Sequence, residues 1–535
     1  MMRFEHATVW RGGRTAASEP LLVVGGHVAP ASGGDATTID LGGAHVVPGF
    51  VDAHTHLTVA AWVPWFADGS AWRSAAEACA AIARAAAVRG SGWLLAFNVD
   101  DDAWPDGPPT AAALEAAAPG RPTLVAHLSL HRAILSETAM RRLDVSGTTP
   151  DPAGDIETRR GRPTGRIWES AFGRAVTTAL LETARTLEPG RLDLLLDGEA
   201  ERHLALGITA AHDPCVPIEL LPAMTRLAGR TRLRLSWSHV HGGGILDPAP
   251  PDVAARGSGD GPPSAKVFLD GAHRCAMCLD PRHVATMAWR AVTRLVGHRD
   301  PGPLRELLGY RIVYRHPRFH MPYLRFADDG AEAVLGGFAT RGVRARIHAL
   351  GNDAVAQACR TLRRLDVRNA SLEHLVVLSD REVAAVADAG VIASLQPGFL
   401  PHYGPALLDR GIVGRLRAVP AESLRRAGVP LALSSDHPCG PLDPLVNIRC
   451  AVQRRLDDGR PFDEAEAIAT DVAVDAYTRG GFQAIHGAPG PGLDPGAPAD
   501  FAVLSGPPDA AGTRVLRTWI AGREAWRSPE QPALA

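Results

Sequence analysis

Through most of its middle, the chain runs short apolar stretches into a polar residue, breaks into an alanine-rich helical stretch, and begins again. Thr123-Leu124-Val125-Ala126-His127, Gly207-Ile208-Thr209-Ala210-Ala211-His212-Asp213 and Ala265-Lys266-Val267-Phe268-Leu269-Asp270 have this form. So do Arg344-Ala345-Arg346-Ile347-His348, Ser371-Leu372-Glu373-His374, the run from Val391 to Gln396, and the run from Val429 to Asp436. Between them, segments such as 75–89, 353–365 and 382–389 read as helices. Apolar strands alternating with helices predict a parallel α/β sheet covered on both faces. The number of strands fits an eight-stranded barrel, with Leu233-Arg234-Leu235-Ser236-Trp237 either a further member or an excursion. In such a barrel, catalysis is built from polar residues at the C-terminal ends of the strands.

The approach Ala44-His45-Val46-Val47-Pro48-Gly49-Phe50-Val51 reads as a buried strand leading into Asp52-Ala53-His54-Thr55-His56. Residues i and i+2 of a strand face the same side, so His54 and His56 can both reach one metal ion. Gly49 allows close backbone approach just before them. Taken strand by strand, the polar ends are His54 and His56, His131 or His127, His212 with Asp213, Lys266 with Asp270, His348, His374, and Asp436. Each has an ordinary reading: a packed or surface histidine, an ion-paired lysine, an aspartate capping a turn. Their recurrence at strand ends within one chain is what points to a metal centre.

The two ends of the chain differ from its middle. Residues 1–47 and 490–526 read as short strands separated by turns, among them Leu21-Leu22-Val23-Val24 and Ala499-Asp500-Phe501-Ala502-Val503-Leu504. They predict one small β domain assembled from both ends around a central domain, 48–489, and 535 residues leave room for both. Lys plus Arg number 56 against 58 for Asp plus Glu, which argues against a nucleic-acid partner. No apolar run is long enough to span a bilayer, and Met1-Met2-Arg3-Phe4-Glu5-His6 lacks the apolar core of a secretion signal. The expectation is a cytoplasmic protein without a membrane partner. The seven cysteines are scattered, and the single Cys-x-x-Cys, Cys275 and Cys278, has no second pair to complete a zinc ribbon.

Several of these segments form an ordered set over nearly the whole length. They are Pro48 to His56, Gly161 to Glu169, Lys266 to Gly271, His348 to Asn352, Glu373-His374, Ser394 to Pro397, Ser435 to Pro438, and Gly492 to Gly496 leading to Ala499-Asp500-Phe501. In them the chain resembles the amidohydrolase superfamily, and within it the amidohydrolase-3 branch. The resemblance implies an α/β fold, a (β/α)8 TIM barrel carrying a small β-sandwich made of 1–47 and 490–526. It implies a binuclear metal centre, with His54 and His56 on the more buried metal and Lys266 bridging both as its carbamate. His348 and His374 would hold the second metal, and Asp436 would contact the first metal and the bridging water. Such donors suit one or two divalent ions, zinc first, with iron, manganese or cobalt as alternatives. The implied activity is hydrolysis of a carbon–nitrogen bond (amide, formamide or N-acyl) in a small molecule by a metal-bridging hydroxide, with Asp436 carrying the proton. His131, Asp270 and Gln396 are the candidates for substrate contact. Two rival readings are a metal-dependent deaminase of a heterocycle, against which Lys266 counts, and a non-catalytic binding protein of this fold, which would normally have lost ligands. A homodimer is left open.

The match departs from the family at two places near the expected site. Ser129-Leu130 stands before His131 where members carry Asp-Gly, and Asn352 stands where they carry Asp. Both changes remove a carboxylate, so no relative's substrate transfers directly. The basic, aromatic segment within 297–325 reads either as a lid at the mouth favouring an anionic or aromatic substrate, or as a solvated positive face.

Overall fold

A computed structural model describes residues 1–11, 17–30, 36–102, 104, 106–151, 155–240, 259–299, 304, 307, 311–409, 411–414 and 416–530. Its centre is one eight-stranded sheet. The strands are β1 (Phe50–Asp52), β2 (Ile208–Pro217), β3 (Arg234–Val240), β4 (Ser264–Phe268), β5 (Arg344–Ala349), β6 (Ala370–His374), β7 (Ile392–Leu395) and β8 (Leu431–Leu433). They lie side by side in chain order, and every adjacent pair is parallel. β4, β5 and β6 are buried at every residue, as the continuous apolar pattern requires when helices cover a parallel sheet. The segment around Leu233 to Trp237 is thus a member of this sheet. Crossover helices carry local signals: Asp380–Ala389 starts on a capping box between Ser379 and Glu382 and stops at Gly390, whose φ of 65° suits glycine.

One expected member sits elsewhere. Thr123–His127 belongs to a separate six-stranded sheet between β1 and β2, parallel to Leu94–Val99 and antiparallel to Arg132–Leu135. Its apolar run ending in histidine is indistinguishable in sequence from a central strand. Only its pairing partner, a hairpin neighbour a few residues on, reveals the difference.

The ends of the chain meet in two further sheets. One orders His27–Ala29, Leu21–Val24, Met2–Glu5 and Thr37–Asp40. The other orders Arg523–Arg527, Val515–Ile520, Phe501–Leu504, His45–Pro48, Thr8–Val9 and Ala17–Ser18. They share a core in which Phe4 meets Phe501 and Trp519 edge-on, with ring centroids 5.1 Å apart in both pairs. Gly49 is the hinge between this region and β1. A Cβ there would lie 2.1 Å from Thr209 Oγ1 on β2, so only glycine fits against the threonine side chain. No helix among the described residues is long and apolar enough to cross a membrane.

Candidate metal centre

The C-terminal ends of the central strands converge on a cavity lined by His54, His56, Ser129, Leu130, His131, Cys215, Lys266, Phe268, His348, His374, Asp436 and Cys439, with Val59. His54 and His56 follow β1, Lys266 lies within β4, His348 within β5, His374 ends β6, and Asp436 follows β8. The backbone is bent to bring some of them in. His374 has φ 81° and Asp436 φ 52°, left-handed values that a side-chain-bearing residue adopts at a cost. The turn at His374 breaks strand alternation, so Glu373 and His374, neighbours in sequence, both serve the same cavity.

Asp436 Oδ1 lies 3.0 Å from His56 Nε2 and 3.3 Å from His54 Nε2. The ligand atoms of His54, His56 and Asp436 all fall within 4.8 Å of one another. Lys266 Nζ is 3.2 Å from His54 Nε2, and the lysine is 1% exposed. The rings of His348 and His374 have centroids 4.5 Å apart, and those of His54 and His374 4.9 Å. His348 Nε2 and His374 Nε2 are buried without a hydrogen-bond partner. Buried polar atoms are rarely left so, and here they face one another across one cavity. Nitrogen and carboxylate donors in this arrangement fit a divalent cation.

The far sides of the imidazoles set their tautomers. His54 Nδ1 is 2.8 Å from Glu373 Oε2, and His374 Nδ1 is 2.9 Å from Gln396 Oε1, whose amide nitrogen donates to Ser434. Each Nδ1 therefore carries the proton and each Nε2 keeps its lone pair for the cavity. Burial holds His348 and His374 well below the ordinary histidine range, in the neutral form that binds metals. It lowers His54 too, helped by the Lys266 charge. Burial alone would raise the Glu373 carboxyl, but His54, Lys266 and Arg346 keep it ionised. Asp436 is likewise held low against burial by His54, His56 and His374. His56 goes the other way: burial opposes its charge, yet its bond to Asp436 pushes it up to about 10. That proton occupies the place between His56 and Asp436 for which a cation competes.

Other expected residues sit nearby in different surroundings. His131 faces the cavity, its ring centroid 5.5 Å from that of His348, with Nδ1 2.7 Å from Glu169 Oε2. Asp270 is fully buried and accepts the amides of Leu350, Gly351 and Ala276 at 2.9 to 3.1 Å. Those bonds only partly offset burial, which lifts its carboxyl to about 7. His212 is a satisfied core histidine, bonded to Ser236 and Ser238, and Asp213 anchors Thr58 and Cys215. Asn352 both accepts from Cys278 N and donates to Cys278 O at 2.9 Å. An ionised aspartate has no hydrogen to donate there, which accounts for the amide. Cys275 Sγ lies 3.2 Å from Ala272 O, and Cys278 Sγ 3.9 Å from His320 Nε2.

Part of the 297–325 segment lies outside the described residues. Its described portion forms a hairpin, Val313–Arg315 with Arg318–Met321, on the strand Met277–Leu279. Tyr314, Arg315 and His316 are exposed, and Arg325 is spent on Glu169 and Ser170. Sequence reasoning gave no role to Glu373 or Glu169. Both are nearly fully buried carboxylates, and the available signal was that each ends an apolar or aromatic run inside a matched motif.

Residues 37–525 match the model of the amidohydrolase family. The chain belongs to that family. It is accordingly a metal-dependent hydrolase acting on carbon–nitrogen bonds. The N-substituted formamide deformylase of Arthrobacter pascens is 25% identical to it, over 95% of each chain. The putative amidohydrolase YtcJ of Bacillus subtilis is also 25% identical, over 88% of this chain and 86% of that one. Among solved structures, an uncharacterized metal-dependent hydrolase from Pyrococcus horikoshii aligns with a TM-score of 0.68 at 19% identity. It covers 95% of this chain and 98% of its own, a likeness of fold.

Proposed function

We propose that this amidohydrolase cleaves an amide, formamide or related N-acyl bond of a small molecule at a centre held by His54, His56, Lys266, His348, His374 and Asp436. The observation that carries the reading is the pair of buried, unpartnered ring nitrogens, His348 Nε2 and His374 Nε2, beside Asp436, His54 and His56 around one cavity. The similarity to a formamide deformylase over almost the entire chain supports the choice of bond. One or two divalent ions bound there, zinc in the first instance, supply Lewis acidity for the scissile carbonyl and draw the pKa of water from ~15.7 towards ~7.

The chain's own residues do the rest. Glu373 and Gln396 hold His54 and His374 in the ligating tautomer. Asp436, kept ionised beside His54 and His56, takes the proton of the attacking water and returns it to the leaving nitrogen. Lys266, read as a carbamate, would supply oxygen donors to the bound ions. Burial lowers its amine, and a neutral amine is the form that adds CO2, whereas an ammonium in this place would repel the cations. His131 is read as a substrate contact, and Asp270 and Gln396 as reaching substrate through the loops and rings they hold.

The same reading extends to architecture. The Asp436 amide donates to His54 O at 2.8 Å, His56 N to His437 O at 2.7 Å, and Ser435 N to Asp52 at 3.0 Å. These bonds between the ends of β1 and β8 support closure of the sheet into a (β/α)8 barrel over 48–489. The shared core of the terminal sheets supports a composite β-sandwich of 1–47 and 490–526. The test is production with ample zinc and bicarbonate, peptide mass analysis of Lys266, and a screen of N-formyl, N-acetyl and cyclic amides for amine release. A carboxyl adduct on Lys266 with amine release is expected. A bare Lys266 with no turnover of any amide contradicts the proposal.

A further inference from the structure

The helix Pro281–His298 has two apolar faces, and the protein covers only one of them. It starts where Asp280 accepts the His283 amide at 2.9 Å, and it runs for 18 residues. On its inner side His283, Met287 and Ala291 recur every four residues and are buried, Met287 in a cluster with Leu279, Met321 and Ile412. On its outer side Ala285, Trp289, Val292 and Val296 stand at i, i+4, i+7 and i+11, the spacing of a single stripe. Trp289 is 69% exposed, Val292 46% and Val296 76%. Single apolar residues on a surface are ordinary, whereas a continuous stripe of them marks a docking face.

The charges narrow what it docks on. Arg282 lies three residues before Ala285 and Arg299 three after Val296, so an exposed arginine closes each end of the stripe. Neither is in an ion pair among the described residues. From Pro281 to Arg299, and again from Arg311 to Arg325, there is no aspartate or glutamate, in a chain whose net charge is -2. The second stretch holds the hairpin that packs beside the helix through Met321, and its tip adds the exposed Tyr314, Arg315 and His316. A second copy of the chain is a poor occupant. Two such helices paired about the middle of the stripe, parallel or antiparallel, set arginine against arginine. Nucleic acid would use the cations but not Val292 or Val296, which offer no face for a base to stack on. A bilayer surface with anionic headgroups uses both kinds of group at once.

We propose that the outer face of this helix, with the hairpin tip beside it, docks on a membrane surface rich in anionic lipid. Trp289, Val292 and Val296 enter the boundary between headgroups and acyl chains, while Arg282 and Arg299 keep their guanidinium groups among the lipid phosphates. The contact is peripheral and does not depend on the metal centre.

The test is sedimentation of the metal-loaded protein with vesicles rich in phosphatidylglycerol and with vesicles of phosphatidylcholine alone. The wild type is expected to sediment with the anionic vesicles only, and to be released by high salt. Trp289→Ser combined with Val296→Ser is expected to weaken that binding at least about tenfold. Arg282→Gln combined with Arg299→Gln should weaken it roughly fivefold for each arginine removed. All four side chains are exposed, so circular dichroism and metal content should stay unchanged in both variants. Absence of binding to the anionic vesicles, equal binding to the neutral ones, or binding that survives in either variant overturns the proposal. A dimer that dissociates in the Trp289→Ser, Val296→Ser variant, without vesicle binding by the wild type, overturns it in favour of a second copy. Retention on single-stranded DNA without vesicle binding overturns it in favour of nucleic acid.

Discussion

Two clusters of histidine and aspartate in this molecule look alike by distance. His54, His56 and Asp436 gather their ligand atoms within 4.8 Å, and so do Asp100, Asp102 and His127 at the end of the separate sheet. Their chemistry differs at the far side of the histidine. His54 points Nδ1 at Glu373, which takes a hydrogen and frees Nε2. His127 Nδ1 instead receives the Ser129 amide at 3.1 Å, so the proton sits on Nε2, the nitrogen that faces Asp100 and Asp102. A protonated Nε2 cannot ligate a cation, and the two carboxylates lie 3.9 and 3.5 Å from it. Arg132, 2.6 Å from Asp102, already supplies the countercharge. Proximity of ligand types is common to both clusters, and the hydrogen bond behind each ring is what distinguishes the proposed metal site from the ion-paired cluster.

That contrast can be broken at either cluster. Asp436→Asn carries the largest expected effect: metal retained, and kcat down by about 10²–10⁴-fold in an amine-release assay. Full turnover by that variant removes Asp436 as the proton carrier. Glu373→Gln weakens the hold on the His54 tautomer, and metal affinity measured by competition with a chelator should fall about 10–100-fold. Gln396→Leu leaves His374 Nδ1 without its acceptor and should cost about tenfold in the same assay. The smallest effect belongs to the second cluster. His127→Ala should leave metal content unchanged, and a loss of bound metal in that variant would erase the distinction between the two clusters.

The sequence made the residues around the central cavity visible because each lies in or just after an apolar strand, towards the end that the fold must bring to the rim. His54, His56, Lys266, His348, His374 and Asp436 all line one cavity. What stayed hidden is what lies one hydrogen bond further out. Glu373 shares its strand with the proposed ligand His374, and alternation assigns neighbours to opposite faces. Only the φ of 81° at His374 brings both to the same side. Glu169 is more than thirty residues from His131, so nothing local pairs them. Thr123–His127 misled for the opposite reason, since its pattern is that of a central strand while its partners are not. His212 lies within a true central strand, yet Ser236 and Ser238 use up both ring nitrogens.

The central claim is that divalent metal is held by the strand-end cluster and not by its look-alike. Elemental analysis of the wild type, His56→Ala and His127→Ala, all produced with ample zinc and bicarbonate, tests it most directly. The account predicts one to two ions per chain in the wild type and the same content in His127→Ala, and a clear loss in His56→Ala. Metal that survives His56→Ala undiminished, or that disappears with His127→Ala, contradicts it.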